Sequence, residues 1–305
     1  MRLVEYASSD SENDTELPPP SKRRRLSSPR DAAPPPLPAA FHDLYAGAAR
    51  IGHTDDRSLH GGRVRLVPHV EGNWAAHVYL EWHPTLEQHA HLTKLIDALS
   101  ADYDGLTTFL SSPNGVPQPL HISLSAPLIL RTETKDDFRA SVIAGISRAA
   151  KSLPEVTAAG KVIVVPAGLG WHPNAERTRG FLVFPLQVGA QDDGRALGKL
   201  LGACNDVAAR FGCNRLYATS SVGDGAVKDA HEVAEDKFHI SIAWALDPEM
   251  FPAGPVRVPV SVRRAETRLK EIRIDFHDIK VKIGKDVVSV PLGQARGGGT
   301  GSCKW

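Results

Sequence analysis

Two stretches of this chain, Leu120 to Ser125 (LHISLS) and Phe238 to Trp244 (FHISIAW), set the same tripeptide His-Ile-Ser in an apolar run. On a strand, residues i and i+2 point the same way. His121, Ser123 and Ser125 therefore share one face, with Ile122 and Leu124 on the other. In the second stretch His239 and Ser241 oppose Phe238, Ile240 and Ile242. The apolar face of each strand has to be buried. The chain must then build two anchored strands, each turning an imidazole and a hydroxyl away from its core.

The residues around these strands predict how they are framed. Trp74 to Trp82 (WAAHVYLEW) reads as a strand rich in aromatic and β-branched residues. Residues 85–101 follow as a helix with Leu92, Leu95, Ile96 and Leu99 on one face. After the first His-Ile-Ser strand, Asp136 or Asp137 is expected to cap a helix burying Phe138, Val142, Ile143 and Ile146. The second half repeats the order. KVIVVPAGL and GFLVFPLQV are strands, a helix carries Leu197, Leu200, Leu201, Cys204, Val207 and Phe211, and KFHISIAWAL is the next strand. LKEIRIDFHDIKVKIG and DVVSVPL end the folded part, the second resembling the return strand of a hairpin. Each half offers a strand, a long helix and a strand bearing His-Ile-Ser, which predicts an α+β fold of two related lobes.

Composition sets the boundaries. Eight of the 23 prolines fall in residues 1–38, with few large apolar side chains, so burial cannot offset the entropy of ordering this segment. Residues 1–40 are expected to be a disordered tail, 41–292 the folded domain and 293–305 a flexible glycine-rich end. Within the first tail, Lys22-Arg23-Arg24-Arg25 reads as a nuclear-import signal, which predicts a nuclear protein. The formal net charge of +1 gives no general attraction to nucleic acid, so such binding must come from a local patch. No apolar run is long enough for a membrane span or is placed as a secretory signal. The three cysteines, Cys204, Cys213 and Cys303, lack CxxC spacing and suggest a reducing compartment without disulfides or a zinc site.

If the two His-Ile-Ser strands lie side by side, two imidazoles and two hydroxyls converge. Histidine can act as base or acid near neutrality, so one ring can take a proton from a nucleophile while the other gives one to a leaving oxygen. Serine hydroxyls can donate to phosphate oxygens whose charge rises in the transition state. The set needs no metal and no cofactor. His77 and His83 along the first strand, and His89 and His91 on its following helix, read as structural or solvated. Trp74 and Trp82 read as core. Arg177 and Arg179 either reach phosphates or decorate a strand end.

The paired H-x-S strands resemble the 2H phosphoesterase superfamily, in which two pseudo-symmetric lobes of antiparallel sheet with outer helices each contribute such a motif to a central cleft. The blocks HGGRVRLVPHVEGNWAAHVYLEW (His60 to Trp82), HISLSAPLILR, ERTRGFLVFPL and FHISIAW resemble its RNA-trimming branch over roughly residues 58–290. That resemblance implies a monomeric 3′–5′ exoribonuclease acting on the 3′ uridine-rich end of U6 small nuclear RNA. Attack by the 2′-hydroxyl would leave a 2′,3′-cyclic phosphate or, after hydrolysis, a 3′-phosphate. By position it makes His121 and His239 the catalytic pair, with His239 favoured as base and His121 as acid, and Ser123 and Ser241 the phosphate-binding hydroxyls. Animal members of the branch stack a tyrosine on the terminal base six residues before the second histidine. Here that position is Val233, leaving Val233 and Phe238 as the candidate base contacts. Two other functions fit the residues: a 2H cyclic phosphodiesterase on small nucleotides, and a non-catalytic RNA-binding adaptor that kept the fold.

Overall fold

The computed structural model describes residues 70–174, 177–187, 193–217, 237–246, 254–256, 267–268 and 271–293. Residues 1–40 and 294–305, with the basic run and Cys303, and also Val233, lie outside the described residues. In chain order the first half holds β1 (Asn73–Trp82), α1 (Leu86–Ser100), β2 (Thr107–Thr108), β3 (Leu120–Ser123), β4 (Leu128–Arg131), α2 (Lys135–Lys151) and α3 (Pro154–Ala159). The second half holds β5 (Val162–Pro166), β6 (Gly170–Pro173), β7 (Gly180–Gln187), α4 (Asp193–Arg210), β8 (His239–Ala245) and β9 (Gly254–Pro255). The chain closes with β10 (Ile274–Phe276), β11 (Asp278–Ile283) and β12 (Asp286–Pro291). This is the α+β architecture that the order of elements predicts.

Two antiparallel sheets result. One runs β12-β11-β1-β3, with β4 also paired to β1. The other runs β10-β5-β7-β6-β9, with β8 between β7 and β2. The alternation in β1 explains its central place. Val78, Leu80 and Trp82 are buried on one face, and His77, Tyr79 and Glu81 take the other. β11 and β12 form the expected hairpin, with Val281 opposite Val288 and Ile283 opposite Asp286. Its turn depends on Gly284, whose φ is +62° and whose added Cβ would lie 2.7 Å from the Trp74 ring. A side chain there would meet both backbone strain and a clash.

The helices cover the core. α1 starts at a capping box in which Thr85 Oγ1 accepts from the Gln88 amide (3.2 Å) and Gln88 Oε1 accepts from the Thr85 amide (2.8 Å). α2 begins earlier than its sequence suggests. Its N-cap is Thr134, which makes no side-chain cap bond, and Asp136 and Asp137 sit inside the first turn, where a carboxylate still complements the helix dipole. α2 and α4 pack together, with Gly145 facing Val207 across the seam. Phe138 and Phe211 meet edge to face at 5.4 Å beside them. The apolar faces of both sheets and these helices merge into one continuous core that includes Leu80, Ile122, Phe184, Ile240 and Ile242. Each such side chain contributes about 1.5–3 kcal/mol by leaving water. The two H-x-S strands are thus held by one shared core.

Candidate active site

β3 is the end strand of its sheet beyond β1, and it packs directly against β8 of the other sheet. The two His-Ile-Ser tripeptides are therefore neighbours. Ile122, Ile240 and Ile242 are fully buried, which fixes His121, Ser123, His239 and Ser241 on the opposite faces. Ser125, expected beside His121 and Ser123, lies past the end of β3 and is buried. Its hydroxyl accepts from the Val78 amide at 2.9 Å and donates to the Ala126 carbonyl at 2.8 Å. Ser125 is a structural tie.

The histidines are electrostatically distinct. Nδ1 of His239 donates to the Lys237 carbonyl at 2.8 Å, which leaves Nε2 as the unprotonated nitrogen of the neutral ring. Burial holds His239 down to about 4; the bond to Lys237 opposes this, and the nearby His172 and His121 add to it. His121 is exposed, and His77, Tyr79 and Glu81 frame the recess around it. Burial lowers its pKa and the carboxylate of Glu81 pulls it back up. Glu81 is the direct cross-strand partner of His121 in the β1–β3 register. Each ring thus has one group that favours its proton, the Glu81 carboxylate at His121 and the Lys237 carbonyl at His239.

Three residues outside the sequence-derived set belong to this recess. His77 stacks on Tyr79 at 5.1 Å and meets His121 edge-on at 5.3 Å, and its Nε2 lies 3.1 Å from Ser123 Oγ. Tyr79 closes the trio, 5.7 Å from His121. His172 on β6 approaches His239 at 5.0 Å, and burial lowers its pKa. His77, read from sequence as structural or solvated, thus stands beside two of the candidate site residues. The signal for it is the alternation of His77, Tyr79 and Glu81 opposite Val78, Leu80 and Trp82. For His172 the signal is its position next to the buried Trp171 in GWHP.

Other expected residues fall elsewhere. Phe238 is 1% exposed and stands edge-on to Tyr217 at 5.9 Å. As a candidate base contact it is corrected: strand alternation that turns His239 outward turns Phe238 into the core. Trp82 is core, whereas Trp74 is 36% exposed, donating to Thr132 Oγ1 at 3.0 Å beneath the Lys135 ammonium. His83 bonds to Glu81 at 3.2 Å, and His89 binds Ser111 Oγ at 3.1 Å. Arg177 and Arg179 lie in the β6–β7 turn, where Asn174 Oδ1 accepts from the Arg179 amide at 2.9 Å. Among the described residues, no group of three or more His, Cys, Asp or Glu is placed to hold a metal ion, and no helix is long and apolar enough to cross a membrane.

The chain belongs to the HVSL family, described as an uncharacterised conserved protein, which matches residues 35–291. Within that frame it is similar to proteins named U6 snRNA phosphodiesterase 1. The Neurospora crassa protein is 34% identical over 232 residues, covering 69% of this chain and 58% of the relative; the chain thus spans a little over half of that protein. The Bos taurus and Homo sapiens proteins are 26% and 25% identical, each covering 95% of this chain and 98% of the relative. Two structures of Kluyveromyces marxianus Usb1, one with uridine monophosphate, align over 72% of this chain and 98% of theirs, at 14% and 15% identity and a TM-score of 0.45.

Proposed function

We propose that this protein is a nuclear RNA phosphodiesterase that shortens the 3′ uridine-rich end of U6 small nuclear RNA. The observation that carries the reading is the meeting of β3 and β8, which sets His121 and His239 within electrostatic reach of one another. The relatives named U6 snRNA phosphodiesterase 1 supply the substrate. The protein acts as a monomer, its folded domain spans 41–292, and Lys22 to Arg25 direct it to the nucleus.

In the reaction, His239 Nε2 takes the proton of the 2′-hydroxyl, and the oxygen attacks the adjacent phosphorus. His121 gives a proton to the departing 5′-oxygen of the terminal nucleoside. Ser123 and Ser241 donate to the non-bridging oxygens, where charge develops. The shortened RNA ends in a 2′,3′-cyclic phosphate, and water can open it to a 3′-phosphate by the same acid and base in exchanged roles. The Lys237 carbonyl supports His239 as base by fixing its tautomer, and Glu81 supports His121 as acid by favouring its protonated form.

The test is product analysis on a synthetic RNA ending in several uridines, with EDTA present. The parent protein is run beside His121→Ala and His239→Ala, and beside a substrate with 2′-deoxyuridine before the scissile phosphate. Stepwise 3′ shortening, lost in either variant and blocked at the deoxy sugar, is the expected result. RNA binding without shortening would overturn the enzyme and leave an adaptor.

A further inference from the structure

Ser123 has to present its hydroxyl proton, not a lone pair, if it is to stabilise an anionic phosphate oxygen. A serine hydroxyl rotates freely and can equally donate to a neighbouring acceptor. What it does is decided by the group it faces on the protein side. That group is the His77 ring, with Nε2 3.1 Å from Ser123 Oγ.

We propose that His77 is a positioning residue for Ser123: its Nε2–H donates to Ser123 Oγ and so turns the hydroxyl proton into the recess, toward phosphate. The geometry restricts the alternatives. The ring is clamped between Tyr79, on which it stacks at 5.1 Å, and His121, which it meets edge-on at 5.3 Å. It cannot swing away without breaking both contacts. His77 and Ser123 stand on adjacent strands, with Tyr79 paired to Ser123 in the register, so the sheet itself sets their separation. Burial, His121 and Lys282 hold His77 neutral, down to about 3. A neutral ring carries one N–H. Placed on Nε2, it faces the serine oxygen; placed on Nδ1, it would leave Nε2 to accept a hydrogen bond from the serine hydroxyl and turn oxygen lone pairs toward the anion. Phosphate in the recess favours the first tautomer, and the chain His77–Ser123–phosphate then points every donor toward the charge.

His121 and His239 alone do not require this residue, and the second motif is arranged differently. His172 lies against His239 at 5.0 Å, on the imidazole and not on the hydroxyl. Among the described residues, the donor relay is therefore particular to the first strand.

The inference rests on the phosphodiesterase reading, and the experiment separates the two. Binding of inorganic phosphate to the full chain is measured by calorimetry for the parent, His77→Phe, His77→Gln, Ser123→Ala and the double variant His77→Phe/Ser123→Ala. Uridine-tail shortening is measured on the same five proteins, with thermal melts confirming that each is folded. The Phe variant keeps a ring without a donor; the Gln variant restores a donor near the Nε2 position. A hydrogen bond to a charged group is worth roughly tenfold in affinity. The expected result is a roughly tenfold loss of phosphate affinity in His77→Phe, recovery in His77→Gln, and no further loss when His77→Phe is added to Ser123→Ala. Additive losses in the double variant, or failure of Gln to restore binding, would overturn the relay. Should the parent bind phosphate with this pattern but leave RNA intact, the relay stands and the RNA reading falls.

Discussion

Nδ1 of His239 is bonded to the carbonyl of Lys237, two residues earlier in the chain and 2.8 Å away. The bond fixes which nitrogen of the neutral ring is left without a proton, and it favours a protonated ring. It does not prevail, because burial outweighs it and the ring titrates near 4. His77, near 3, is the same case without a carbonyl partner.

Both partly buried imidazoles make the fold sensitive to acid. In an unfolded chain the ring titrates near 6.5, so between that pH and the folded values the unfolded state binds the extra protons. Stability is then complete above about pH 6.5 and falls as pH drops toward 4 and 3. Each ring is expected to cost about 2 kcal/mol between pH 7 and pH 5. Urea unfolding at the two pH values measures this. His77→Phe should remove about half of the difference, leaving the His239 share; an unchanged difference would place the acid sensitivity elsewhere.

Ser123 and Ser125 separate function from support. Ser125→Ala removes the partner of the buried Val78 amide, and an orphaned buried donor costs about 1–3 kcal/mol. A lowered melting temperature with normal turnover per folded molecule is expected. Ser123→Ala should show the reverse, since Ser123 is only partly buried and loss of an oxyanion donor costs on the order of a hundredfold in kcat. Melting curves and single-turnover rates on both variants decide the assignment.

How much of the fold and site is legible in the sequence follows from what each signal depends on. Strand alternation is local, so the facing of His121, Ser123, His239 and Ser241 can be read directly, as can the burial of Ile122 and Ile240. The β11–β12 return is equally plain. The roles of His77 and His172 depend on which strands become neighbours, and nothing local states that β6 brings His172 to His239. Asp136 and Asp137 suit a first turn as well as an N-cap, so the sequence alone misplaces the cap of α2. Ser125 shares a face with His121 and Ser123 only if alternation is extended past Ser123, where β3 ends.

Phe238 offers a clean contrast with a base platform. Its ring is inside the core against Tyr217, so Phe238→Ala opens a cavity and should cost about 3–5 kcal/mol. Chemical denaturation is expected to show that loss. A stacking residue would instead leave stability intact and weaken RNA affinity, by about 1–3 kcal/mol per base; that pattern would return Phe238 to the binding surface.

Glu81 offers the sharpest test of which histidine is the acid. It lies across the β1–β3 register from His121, and its carboxylate raises the His121 pKa against the pull of burial. A general acid must be protonated to act, so the rate falls as pH rises through its pKa. Glu81→Gln removes the charge and lowers the His121 pKa, which moves the alkaline limb of the kcat profile to lower pH. At a fixed pH above that limb, the rate drops by about tenfold for every whole pH step the limb moves. The acidic limb, set by His239 as base, should stay in place. His83→Ala serves as the control, because His83 also bonds to Glu81 without facing His121 in the register. A full pH–rate profile on the three proteins reads the outcome. If Glu81→Gln moves the acidic limb instead, the roles of His121 and His239 are exchanged.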